Sequence, residues 1–270
     1  MGKGTGIQWT DATWNPTVGC TKVSAGCARC YAKTLHDMRH KAHLQGKRMA
    51  PQYSVPFGQV QTIPARLGAP ARWKRPLKIF VDSVSDLFHE QVPFSFIAEV
   101  FDAMAMADWH TYQVLTKRID RALQFFLWYQ SRSVVEGGVR VGDRAPITFE
   151  AAFRHVHLGV SVENQDAAER RVPLLLAAPF AVRWLSCEPL LGHVDLSRWI
   201  RYLQWVVSGG ESGRAFRALN LDHARSLRDQ CIAAGVPYLF KQVGGHTPKA
   251  GGRLLDGVEW DQFPEVTSVG

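Results

Sequence analysis

The chain predicts an α/β fold with parallel strands, a full or partial (β/α) barrel of the TIM type. Two observations predict it. Apolar strand-like runs alternate with helical stripes along most of the 270 residues, and that alternation implies parallel pairing through right-handed crossovers. Nearly every strand-like run also ends, on its carboxyl side, in residues that hydrogen-bond or ionise; in a barrel that face carries the chemistry. The hydrophobic fraction of 46% is that of a globular protein.

The elements follow in order. Residues 7–19 read as a short first strand ending in a turn. Tyr31 to about Leu44 reads as a helix, with His36, His40 and His43 at helical spacing on one face; a wet basic face is the simpler reading of these than a second metal site. Residues 49–76 carry Pro51, Pro56, Pro64, Pro70 and Pro76 and little periodicity, so they form an irregular excursion. Strands are expected at Leu77–Val81, Tyr112–Leu115, His157–Val162, Val182–Ser186, Trp205–Ser208 and Pro237–Phe240. Helices are expected over Phe96–Met104, after Arg118 to about Tyr129, over about 165–178, and along Leu221–Ala234, where Cys231 sits on the apolar stripe. Residues 131–150 form an insertion containing Gly and Arg. Asp256-Gly257 marks a small hairpin. The expected organisation is a barrel over 1–243, with a cysteine loop at 20–30, and a hairpin and tail over 244–270.

Cys20, Cys27 and Cys30 fall within eleven residues of a chain with five cysteines. A disulfide would leave one over, and a structural zinc wants four ligands. Three thiolates suit a four-iron cluster with one iron open to another ligand. The start of the chain shows no secretory segment, and no apolar run is long enough to span a bilayer. The expected compartment is therefore the cytoplasm, where cysteines read as metal ligands rather than staples. The net charge is +8. Between Arg29 and Lys78 eleven basic residues face one acid, Asp37, which is either a solvated face or a footprint for a polyanion.

Several motifs carry a resemblance. Trp14-Asn-Pro-Thr-Val-Gly-Cys20, Asp86-Leu-Phe-His89, Leu115-Thr-Lys-Arg118, Gly159-Val-Ser-Val-Glu-Asn164, Leu185-Ser-Cys-Glu-Pro-Leu190, Gly209-Gly-Glu-Ser-Gly213 and Phe240-Lys-Gln242 are similar to those of a family of phage and bacterial proteins with a three-cysteine motif and poorly defined chemistry. The likeness spans about Trp14 to Trp260. More broadly the chain resembles the radical SAM superfamily, which includes the DNA-repair enzyme spore photoproduct lyase. The usual superfamily spacing is Cys-x3-Cys-x2-Cys; here the first gap is six residues. Arg29 stands just before the third cysteine, where an aromatic is usual, and Tyr31 lies one place late.

The resemblance implies a [4Fe–4S] cluster on Cys20, Cys27 and Cys30, S-adenosylmethionine as second cofactor, and an external electron donor. It implies Tyr31, Asp82, Ser83, Glu163 and Asn164 around S-adenosylmethionine, with Glu188 and Glu211 holding it or the substrate. Lys117, Arg118 and Lys241 suit a phosphate by charge and position. Cys187 is placed to give a hydrogen atom to a substrate radical; its other reading is a small buried apolar residue. For each lone charged residue the other reading is an internal ion pair.

The expected function is a radical SAM enzyme that makes a 5′-deoxyadenosyl radical to act on DNA, RNA or a nucleotide, with reversal of a DNA photolesion as its most specific form. Modification of a nucleic-acid base fits nearly as well. Of another class is a non-catalytic, zinc-stabilised nucleic-acid-binding protein with His36 or Cys187 as fourth ligand. A phage accessory that binds a host protein has only the resemblance behind it. The expected state is a monomer with no membrane partner.

Overall fold

The computed structural model describes residues 5–134, 148–247 and 249–264. In chain order it has β1 (Ala12–Trp14), β2 (Thr17–Val18), α1 (Tyr31–Leu44), β3 (Gln61–Thr62), β4 (Lys78–Val81), α2 (Phe94–Met106), β5 (Thr111–Thr116), α3 (Ile119–Val134), α4 (Phe149–Ala152), β6 (Val156–Ser161), α5 (Gln165–Leu176), β7 (Val182–Cys187), β8 (Trp205–Ser208), α6 (Leu221–Ala234), β9 (Tyr238–Phe240), β10 (Leu254–Leu255) and β11 (Val258–Glu259). The seven-stranded sheet has the order β1-β4-β5-β6-β7-β8-β9. Its pairs β1–β4, β4–β5, β7–β8 and β8–β9 are parallel. Each strand adds beside the one before it, the order of a partial (β/α) barrel. No helix among the described residues is long and apolar enough to cross a membrane.

The chain divides into two compact units, Met1–Leu158 with Ala178–Ala181, and Gly159–Ala177 with Val182–Gly270. In the first unit the apolar faces of α2 and α3 meet in a cluster of aromatic rings. Phe101 and Phe125 lie 5.2 Å apart, Phe101 and Phe153 5.1 Å, and Phe126 and Phe180 5.0 Å, mostly at the tilted and edge-on angles that rings prefer.

In the second unit Trp184 of β7 and Trp205 of β8 are fully buried with ring centroids 5.1 Å apart. Gly159 of β6 makes room for the first of them: a Cβ there would stand 2.4 Å from the Trp184 ring. Gly235 closes α6 in the left-handed region at φ 66°, the usual stop for a helix. The expected hairpin is present, with Asp256 and Gly257 both at positive φ, as a two-residue turn of the primed type requires.

Three expectations change in detail. Residues 7–19 are two strands rather than one, because Pro16 cannot donate to a ladder; β1 pairs with β4, whereas β2 turns aside to pair with β3. The Pro-rich excursion is built of 3₁₀ turns that start on Pro51, Pro64 and Pro70. The face of α1 that carries His36 is not wet: His36 is buried, and its Nε2 lies 2.9 Å from the Val55 carbonyl. Most of the insertion expected at 131–150 lies outside the described residues.

Candidate functional site

In the first unit the cysteine loop leaves β2 and ends where Cys30 caps the amino end of α1. The backbone at Cys20 is fixed by its N–H, which donates to the Phe57 carbonyl at 3.0 Å. Its side chain is met by Arg118, which lies just beyond the carboxyl end of β5. One arm of that guanidinium donates to the Cys20 sulfur at 3.5 Å and to Asp86 at 3.2 Å. Another donates to the backbone and hydroxyl oxygens of Thr21 at 3.1 and 3.0 Å, and Nε reaches Glu90 at 2.9 Å. Asp86 also accepts from the Thr116 hydroxyl at 2.8 Å and from the Lys117 N–H at 3.1 Å. His89 closes the group, with Nε2 at 2.8 Å from the Thr21 hydroxyl. Burial, and then Asp86, push the Cys20 thiol up to about 11 against the lowering effect of Arg118, so the thiol is neutral at neutral pH.

Asp82 follows β4 and is held at φ 58°, a conformation a non-glycine residue adopts only where its surroundings impose it. Its carboxyl is fully buried. It accepts from the Thr17 N–H at 3.0 Å and faces the Thr17 hydroxyl at 2.9 Å. Burial raises its pKa to about 8. Ser83 donates to the Asn15 side-chain oxygen at 3.0 Å, and the Tyr31 hydroxyl donates to the Ser83 carbonyl. Tyr31, Asp82 and Ser83 are thus brought into one neighbourhood by β1, β4 and α1.

In the second unit the strand-end acids have basic partners. Glu163, buried after β6, takes Arg171 of α5 at 2.7 Å. Glu188, after β7, takes Lys241 at 2.9 Å. Glu211, after β8, takes Arg217 at 2.6 Å. Asn164 caps α5, its side-chain oxygen accepting from the Ala167 N–H at 3.0 Å. Cys187 is fully buried at the end of β7, and burial holds its thiol far up. Cys231 is fully buried on α6, as its stripe position implies.

The residues that organise these groups, Asp86, Thr21, His89, Arg171 and Arg217, were not given roles by sequence reasoning. The motif Asp86-Leu-Phe-His89 marked two of them. The pairing of Arg118 with a sulfur 98 positions away carries no local signal.

Three thiols on one loop are a donor set of the right chemistry for an iron–sulfur cluster, and all five cysteines are free. Their arrangement is not gathered. Among the described residues no three His, Cys, Asp or Glu side chains stand together as a metal-holding group, and the Cys20 sulfur is engaged by Arg118. His36, a candidate fourth ligand for zinc, is already turned to Val55.

Compared with known protein families, the chain belongs to the family described as a protein of unknown function (DUF5131), which matches residues 4–264. No curated protein and no solved structure matches it.

Proposed function

We propose that this member of the DUF5131 family is an iron–sulfur enzyme of the radical SAM type that acts on nucleic acid or a nucleotide in the cytoplasm. One observation carries the reading: three thiols within eleven residues follow the first strand of a parallel sheet, on a loop that Arg118 ties to the carboxyl end of β5. Cys20, Cys27 and Cys30 would hold the cluster, which together with S-adenosylmethionine and an external electron donor would supply one-electron radical chemistry. The most specific form of the reading is reversal of a DNA photolesion, with base modification as its neighbour.

The chain's own residues have definite parts in this reading. Arg118 holds the loop and the Cys20 sulfur, and it lowers the Cys20 pKa against the larger raising effects of burial and Asp86. Asp82 and Ser83 offer a carboxyl and a hydroxyl beside Tyr31. Glu163, Glu188 and Glu211 stand at the strand ends, each oriented by a basic partner, Arg171, Lys241 and Arg217. Lys117 and Lys241 supply charge for phosphate. Exposed Arg29, Lys41, Lys47, Arg48, Arg72, Lys74 and Arg75 present a basic surface to a strand.

The test is anaerobic reconstitution with iron and sulfide, then dithionite, S-adenosylmethionine and an oligonucleotide, with 5′-deoxyadenosine as readout. The protein is expected to be brown, with about four irons per chain. Cys20→Ala, Cys27→Ala and Cys30→Ala should each abolish the product. A colourless protein holding zinc, or product persisting in all three variants, rejects the reading.

A further inference from the structure

A cavity of about 180 Å³ lies in the first unit between α1, the Pro-rich excursion and the ends of β1 and β4. One water needs roughly 10–15 Å³ on the same kind of measure, so the space admits a polyatomic group. Its walls include Thr13, Asn15, Arg39, Tyr53 and Arg66, and no carboxylate lines it. That composition is unlike the charged groups elsewhere in the chain, where Arg118, Arg171 and Arg217 each close on an acid. Among the described residues neither Arg39 nor Arg66 forms an ion pair with a carboxylate.

The donors in this cavity are fixed in place. Arg39 lies over the Tyr53 ring at 5.0 Å from its centroid and donates to the Tyr53 hydroxyl, which keeps its own proton to give. Arg66 spends one N–H on the Asn15 carbonyl at 2.8 Å, leaving the rest of its five donors. The Asn15 side-chain oxygen already accepts from Ser83 and from the Val84 N–H, so its amide nitrogen is the free end. His36 and His40 pin the excursion to α1 through the Val55 and Tyr53 carbonyls. Asp82, the acid that acts on Arg66, does not line the cavity, and burial raises its pKa to about 8.

We propose that this cavity is an oxyanion site that takes a phosphoryl group, with Arg39 and Arg66 as its cations and Asn15 and Tyr53 as neutral donors. Two guanidinium forks lining one cavity with neutral donors and no acid are the chemistry that recognises phosphate. The phosphate belongs either to the internal backbone of a strand or to the terminal group of a nucleotide. The site is independent of the thiol loop's chemistry, so alanine at Cys20, Cys27 and Cys30 should leave it working.

Binding to the full chain is measured by calorimetry and by phosphorus NMR line broadening, with inorganic phosphate, a 5′-phosphorylated dinucleotide and its unphosphorylated counterpart as probes. Inorganic phosphate should bind, and Arg39→Gln and Arg66→Gln should each weaken it about tenfold, the loss of one charge-assisted hydrogen bond. Arg66→Lys should recover part of that loss. Binding of both dinucleotides assigns the site to an internal phosphodiester; binding of the phosphorylated one alone assigns it to a terminal phosphate. If Arg66→Gln fails to fold, the exposed Arg39→Gln decides the matter. Absence of phosphate binding, or binding unchanged in the folded variants, overturns the proposal.

Discussion

Asp82→Asn isolates one buried proton. Burial raises the Asp82 carboxyl from its ordinary 3.8 to about 8, so between those values the folded chain holds a proton that the unfolded chain has released. Folded protein therefore binds more protons, and stability falls as pH rises through this window until the folded group itself ionises. The slope approaches about 1.4 kcal/mol per pH unit for one proton, or about 3 kcal/mol between about pH 5 and about pH 7. Asparagine keeps the shape, accepts from the Thr17 N–H and cannot ionise. Urea unfolding of both proteins at several pH values gives the difference in stability, from which the other titrating groups cancel. The variant should gain on the wild type by about 3 kcal/mol across that interval. Parallel curves would show that Asp82 is ionised in the fold and would refute the argument.

Asp86→Ala leaves buried Arg118 with only the exposed Glu90 as its acid and should cost about 3 kcal/mol in urea unfolding, whereas Asp86→Leu combined with Arg118→Met should recover most of that loss. Gly159→Ala drives a methyl group into the Trp184 ring and should cost about 1–3 kcal/mol, with a blue or red shift of the buried tryptophan emission. Alkylation of the native apoprotein followed by mass mapping should label the partly exposed Cys27 and Cys30 first, Cys20 more slowly because its raised pKa keeps the thiol protonated, and Cys187 and Cys231 only once denaturant is added.

The regular elements were legible because each carries its own period. Tyr31–Leu44 and Trp205–Ser208 match the sequence reading end for end, one from helical spacing and one from a short apolar run. The division at Pro16 was harder to read because strand composition runs through it; only the missing N–H separates β1 from β2. The candidate site was legible in its residue types and not in their partners. Glu163, Glu188 and Glu211 stand at strand ends as the alternation requires, but which base closes on each depends on where loops return. Arg217 comes back from six residues beyond Glu211, and Lys241 from the end of β9.

That pairing bears on where the chain can attract an anion. Arg118 closes on Asp86 and Glu90, Arg171 on Glu163, Lys241 on Glu188 and Arg217 on Glu211. Such pairs orient one another, and each spends much of its field on its own partner. The excess of +8 must therefore act from bases without an acid at hand. The run from Arg29 to Lys78 holds one acid, Asp37, and Lys33 takes it at 2.5 Å. Within that run Arg39 and Arg66 line a cavity, and neither forms an ion pair with a carboxylate among the described residues. A phosphate drawn to the basic surface would find its built seat there, ahead of the strand-end lysine already committed to Glu188.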